Sequence, residues 1–262
     1  MKFLLKECYA IEDLLSIMEL LRSACPWDRE QTHKSIRKNL IEETYEAVEA
    51  IDNDDYVLLR EELGDLLLQI VFHTQIEKEA GHFDFSEVCD LVCKKLVTRH
   101  PHIFAGVKAD SAEQVLNNWD EIKKEEKGRV TAAQSLNSVP AVLPALMRAQ
   151  KVQQRAAKAG FDYPNVEMAM ADLQSEVSEV SQALREQNAA AIEEELGDLL
   201  FSVVNVARFV GVEAEESLTA SSGKFISRFK RVEDLALKKG INMQKASIET
   251  LDCLWREAKK AK

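Results

Sequence analysis

The heptapeptide EELGDLL occurs twice in the chain, at Glu61–Leu67 and at Glu194–Leu200. It is part of a longer internal repeat. A shift of 133 residues places Leu40-Ile-Glu-Glu-Thr-Tyr-Glu46 on Leu173-Gln-Ser-Glu-Val-Ser-Glu179. The same shift places Glu62-Leu-Gly-Asp65 on Glu195-Leu-Gly-Asp198. One shift serves both pairs, so the intervening segment has equal length in the two copies. Further along, the register slips by a few residues. Lys95–Arg99 then matches Lys224–Arg228, and Trp119 matches Trp255. Upstream, Trp27-Asp28 matches Phe161-Asp162. Such self-similarity describes two copies of one supersecondary unit. The expected layout is an N-terminal repeat over residues 1–128, a linker over 129–145 and a C-terminal repeat over 146–262. The join falls in GRVTAAQSLNSVPAVLP, which carries helix breakers and little charge.

Each copy reads as helix, turn, helix, short connection, helix. Ala, Leu, Glu and Lys dominate, and alternating β-branched runs are missing, so the fold class is all-α. The turn in each copy falls at Asp52–Asp55 and near Gln187-Asn188. A net charge of −11 argues against a nucleic-acid partner, which needs a basic footprint. It leaves room for a phosphorylated small ligand if a cation stands between. No stretch reaches the length of a membrane span, and MKFLLKECYAIEDLL is broken by charge too early for a signal peptide. Five cysteines without regular spacing read as reduced thiols of a cytoplasmic protein.

The acidic pattern points to metal chemistry. Positions three and four apart share a helix face. Glu62 and Asp65 therefore share one line with Gln69 and Phe72, inside the apolar run LGDLLLQIVF. Glu195, Asp198, Ser202 and Asn205 repeat that line. A helix that is apolar nearly all round is expected to be buried, and carboxylates there are costly unless paired or bound to metal. The preceding helix adds Glu42, Glu43 and Glu46 in copy one, and Glu176 and Glu179 in copy two, where Ser175 replaces Glu42. Two antiparallel helices can then close a four-carboxylate cup. All-oxygen ligands suit Mg²⁺, with Mn²⁺ as a substitute, better than zinc. A di-iron site would want paired ExxH motifs. Glu30–His33 and Glu79–His82 fit by letters only, and copy two has no histidine. Gly64 and Gly197, mid-helix, serve either close helix packing or close approach to a ligand.

An anionic substrate also needs cations. Lys95 with Arg99, and Lys224 with Arg228, lie four apart on helices that follow the acidic pairs. Lysine as a point charge and arginine as a fork both suit phosphate. Trp119 and Trp255 could stack on a base or anchor a core. Lys151, Arg155 and Lys158 form a further basic stripe whose simplest reading is a solvated face.

These residues resemble a known family. The segments CPWDREQTHKSIRKNLIEETYEAVEAI, EELGDLLLQIVFH, KLVTRHPHIFAGV and NWDEIKKEEK resemble the N-terminal half of bacterial MazG proteins. KAGFDY, EVSEV, EEELGDLLFSVVNVARF and KFISRF resemble the C-terminal half. MazG proteins belong to the all-α nucleoside triphosphate pyrophosphohydrolases, whose pattern is EExxE, a spacer, then ExxD. The resemblance implies tandem helical repeats in a helical-bundle homodimer. It implies Mg²⁺-dependent hydrolysis of NTP or dNTP to the monophosphate and diphosphate, with broad base tolerance, in nucleotide-pool control. By position it makes Glu42, Glu43, Glu46, Glu62 and Asp65 the metal ligands of copy one. It makes Glu176, Glu179, Glu195 and Asp198 those of copy two. Lys224, Arg228 and Trp255, with Lys95, Arg99 and Trp119 in copy one, would serve the triphosphate and base. Glu179 and Glu46 are the candidates to orient or deprotonate the attacking water. Ser175 departs from the family pattern. Two alternatives stand beside this reading: one or both repeats as a non-catalytic nucleotide-sensing or dimerisation module, and a nucleotidase narrow in base choice.

Overall fold

A computed structural model of the chain describes residues 5–107, Ser111, Gln114, Val115, Trp119, Ile122 and residues 131–260. Most of NWDEIKKEEK and the first two residues of the expected linker lie outside the described residues. The chain divides into two compact units, Met1–Lys127 and Gly128–Lys262. Among the described residues all regular structure is helical.

Unit one holds α1 (Ile11–Ala24), α2 (Pro26–Glu30), α3 (His33–Asp52), α4 (Tyr56–Ala80), α5 (Phe85–Arg99) and α6 (Pro101–Phe104). Unit two holds α7 (Ala132–Asn137), α8 (Ala145–Lys158), α9 (Val166–Glu186), α10 (Ala189–Phe209), α11 (Ala214–Lys238) and α12 (Ile248–Lys260). Helix α7 lies in the segment expected to be linker. It packs on α8, and Arg155 of α8 clamps it, donating to the Ser135 carbonyl and, at 2.7 Å, to Ser138 Oγ.

The centre of each unit is a helical hairpin, α3–α4 and α9–α10. The two turns are built alike. Asp54 and Gln187, equivalent by the 133-residue shift, both sit at φ +53°. The next residue caps the second helix each time. Asp55 accepts from the amides of Val57 and Leu58, and Asn188 accepts from that of Ala191. A left-handed residue ends one helix and an Asx cap starts the next, so the chain reverses within three residues in each copy. This reversal brings the acidic segments of the paired helices side by side.

The long helix before each hairpin packs on its second helix in both units. In unit one, α1 lies against α4, and Met18, Ile36, Val71 and Phe72 form a buried cluster. In unit two, α8 lies against α10 and α11. A second cluster, Val232, Ala236, Leu254 and Ala258, joins α11 to α12.

One expectation is corrected. The apolar run of α4 is not buried all round. Glu62, Gln69, Val71 and Phe72 are buried, whereas Leu63 is 53% and Ile70 42% exposed. Helix α10 repeats this, with Leu200 56% and Val203 45% exposed. Each hairpin uses one side of its acidic helix for its own unit and leaves an apolar stripe facing outward. Gly64 and Gly197 meet no neighbour, since a Cβ built on either finds open space. Packing within one chain therefore does not demand glycine at these positions.

Candidate active site

Two carboxylate clusters form where the hairpin helices run together. In unit one, oxygens of Glu43, Glu62 and Asp65 lie within 4.8 Å of one another. In unit two, oxygens of Glu176, Glu179 and Glu195 do the same. The remaining ligand candidates act on these clusters electrostatically. Burial and then the charges of Asp65 and Glu46 hold the Glu43 carboxyl above the ordinary range. Burial and then Glu46 and Asp65 raise Glu62. In unit two, burial followed by Glu179 and Asp198 raises Glu176, and burial followed by Glu179 raises Glu195, with Asp198 again contributing. Four carboxylates in each cup thus repel one another, and a proton or a cation relieves the strain. The all-oxygen donor set fits a hard divalent cation.

Glu42 is exposed and is not among the charges acting on Glu43 or Glu62. It is one residue, about 100° around the helix, from Glu43, which turns it off the shared face. In copy two the equivalent Ser175 takes a different part, donating from Oγ to Glu179 Oε1 at 3.0 Å.

Beside the second cup lies a cavity of about 530 Å³. Glu176 and Asp198 form part of its lining, which continues through Asp172, Ser202, Asn205 and Arg208 and includes Phe161, Tyr163 and Phe201. Its polar walls are tied together. Arg208 binds Asp162 at 2.5 Å and Asn205 at 2.7 Å, and Ser202 Oγ donates to Asp172 at 2.9 Å. In unit one the equivalents of Ser202, Asn205 and Arg208 are Gln69, Phe72 and Gln75, all buried. The polar stripe that runs Glu195, Asp198, Ser202, Asn205 was the sequence signal for this cavity. It extends two turns past the carboxylates, whereas copy one turns apolar at Phe72.

None of the basic candidates lines the cavity or is among the groups that shift the four raised carboxylates. Lys224 is exposed and Arg228 half-buried on α11, and Lys95 is exposed and Arg99 half-buried on α5. Every charge acting on the four raised carboxylates is acidic. Trp255 packs against the α11–α12 cluster, 5.2 Å from the Phe225 ring, and does not line the cavity. Trp119 is half-buried. The histidines of the two ExxH patterns do meet, away from the carboxylate cups. His33 and His82 both bond to Glu77, at 2.5 and 2.6 Å.

Comparison with known proteins matches both hairpins. The MazG nucleotide pyrophosphohydrolase domain is found at residues 31–104 and again at 165–233. A nucleoside triphosphate pyrophosphohydrolase of Escherichia coli K12 is 42% identical over 255 residues, 95% of this chain and 97% of its own. A nucleoside triphosphate pyrophosphohydrolase/pyrophosphatase MazG of Thermotoga maritima is 42% identical over 250 residues, 95% of each chain. The uncharacterized protein YabN of Bacillus subtilis is 44% identical over 250 residues, 93% of this chain and 50% of its own length. The domain match covers more than half the chain and includes every carboxylate of both cups. The chain belongs to the MazG family of nucleotide pyrophosphohydrolases.

Proposed function

We propose that the second repeat hydrolyses nucleoside triphosphates to monophosphate and diphosphate, with Mg²⁺ held by Glu176, Glu179, Glu195 and Asp198. The observation that carries this reading is the cavity of about 530 Å³ opening beside those carboxylates. Its size falls in the range of small-molecule sites. Its aromatic and polar walls suit a nucleoside, and its carboxylate edge suits a metal-bound triphosphate. Bound Mg²⁺ would neutralise phosphate charge and acidify a coordinated water. The chain's own residues supply the rest. Ser175 holds one oxygen of Glu179, leaving the other to take a proton from the attacking water. Glu46 is its counterpart by position in copy one and would have that part only if the first repeat also turned over substrate. The water oxygen joins phosphorus on one side of the α–β bridge, and the bridging bond breaks towards the other. Lys224 and Arg228 on α11, with Lys95 and Arg99 on α5, are the cationic candidates for the triphosphate. Trp255 and Trp119 are weaker candidates for base contact, Trp255 because its ring is engaged by α11.

The first repeat is read as a metal-binding or structural module. Its carboxylate cup is intact, but Gln69, Phe72 and Gln75 occupy the positions that open the cavity in copy two. The outward stripes of α4 and α10 support a homodimer in which a second copy covers them. No helix among the described residues is long and apolar enough to cross a membrane. All five cysteines are free thiols, which supports a reducing, cytoplasmic setting.

The test is product analysis after incubation with ATP and Mg²⁺. AMP with diphosphate is expected. ADP with phosphate would overturn the reaction class, and the absence of turnover across a panel of nucleoside triphosphates would leave a binding module.

A further inference from the structure

We propose that Asp172 accepts a hydrogen bond from a sugar hydroxyl of the nucleotide, and so reads the sugar of the substrate. This inference rests on the assignment of nucleotide hydrolysis to the second repeat.

The cavity is layered. Its first polar layer is the carboxylate pair Glu176 and Asp198. Its second is Asp172 and Ser202, four residues before Glu176 on α9 and four residues after Asp198 on α10. The hairpin helices are antiparallel, so both steps run in the same direction. Four residues of helix advance about 6 Å. The second layer therefore lies one turn deeper than the metal-binding layer, along the cavity wall. In a nucleotide the group one step beyond the α-phosphate is the sugar.

The chemistry of Asp172 agrees with that placement. Its carboxylate is held from two sides. Ser202 Oγ donates to Oδ2 at 2.9 Å, and the Tyr163 phenol donates to it as well. An ionised carboxylate offers about four acceptor sites, so two donors orient it without exhausting it. A wall group of this kind repels phosphate and attracts a donor. The triphosphate is thus kept at the outer layer, and the nucleoside enters first. A ribose hydroxyl is the donor that the deeper layer meets. The feature belongs to the second repeat alone, because Asn39 and Gln69 stand at the equivalent positions of copy one.

The experiment measures binding without turnover. Calorimetry with Mg²⁺ would compare non-hydrolysable α,β-methylene analogues of ATP, 2′-deoxy-ATP and 2′,3′-dideoxy-ATP, on the full-length protein and on Asp172→Ala and Asp172→Asn. A hydrogen bond to a charged acceptor is worth about tenfold or more in affinity. The wild type should bind the dideoxy analogue about tenfold more weakly than the parent. Asp172→Ala should bind the parent about that weakly, with no further loss for the dideoxy form. Asp172→Asn, which keeps the shape and one neutral acceptor, should fall between. The 2′-deoxy analogue assigns the hydroxyl: loss there marks the 2′ position, retention the 3′. Equal wild-type affinity for parent and dideoxy analogues would overturn the assignment while leaving nucleotide binding intact. So would an Asp172→Ala loss that is the same for both. If the wild type bound none of the analogues, the nucleotide reading itself would fall, and this inference with it.

Discussion

Phe72 and Asn205 stand at the same register position of the two acid-bearing helices and make opposite surroundings. Phe72 is buried with Met18, Ile36 and Val71 under α1. Asn205 lines a cavity and accepts from Arg208. The carboxylates about two and three turns away are the same in type and spacing. The two repeats thus share the carboxylate half of a site, and beside the second a cavity opens where the first packs Phe72.

Asn205→Phe should import the closed state of copy one. Affinity for a non-hydrolysable triphosphate should fall about tenfold or more, since a pocket is sensitive to single added groups. Stabilisation by Mg²⁺ should survive, because no carboxylate is touched. Calorimetry and thermal melts on one preparation separate the two effects. Loss of metal stabilisation together with nucleotide binding would show that the cavity and the cup are not separable.

Stability of the metal-free protein should respond to pH through the cups. The folded carboxyls of Glu43, Glu62, Glu176 and Glu195 sit above the ordinary value of 4.5. Their protonation favours the fold, a contribution fully present below about pH 4.5 and lost as pH rises through the raised values. His73, lowered by burial and by His33, acts in the opposite sense, as does Glu77, lowered by its bonds to His82 and His33. Their contributions are lost on acidification, below the ordinary values of 6.5 and 4.5 respectively. The difference between melts with and without Mg²⁺ cancels the histidine site. That difference should be several degrees larger at pH 7.5 than at pH 5. A metal effect independent of pH would mean that the raised carboxylates are not the ligands.

The outward stripes should hold copies together. Leu67 and Leu200 are equivalent by the repeat shift and both exposed. Leu67→Glu with Leu200→Glu should convert a sedimenting dimer to monomer while leaving the helical circular dichroism unchanged, because a buried unpaired charge is costly in an interface. A wild-type protein that sediments as a monomer at micromolar concentration would refute this.

Much of this architecture was legible in the sequence. The constant shift between Glu46 and Glu62 and between Glu179 and Glu195 fixes two hairpins with matching turns, and the structure places Asp54 and Gln187 in the same left-handed conformation. The carboxylate cups followed from helical spacing alone. What periodicity does not carry is which neighbour covers a helix. Leu63 and Leu200 look like core residues by composition, yet they face outward, because burial depends on a packing partner and not on the residue's own pattern. The cavity shows in the sequence only as the polar stripe Glu195, Asp198, Ser202, Asn205, because its other walls come from neighbouring segments. The long helix before each hairpin, α1 or α8, lies against its second helix in both repeats, and the cavity goes with polar Asn205 and Arg208 standing where Phe72 and Gln75 fill space. Trp255 shows the reverse case: spacing allowed a base contact, and its ring packs on α11 instead.

The most direct test compares Asp65→Ala with Asp198→Ala in turnover of ATP with Mg²⁺. Both remove one carboxylate from equivalent cups, so any general damage to the hairpin is shared. Asp198→Ala should lose about 100-fold or more, the scale on which even outer partners of a metal site act, whereas Asp65→Ala should keep most of the wild-type rate. Equal losses in the two variants, or a loss confined to Asp65→Ala, would contradict the assignment of catalysis to the second repeat.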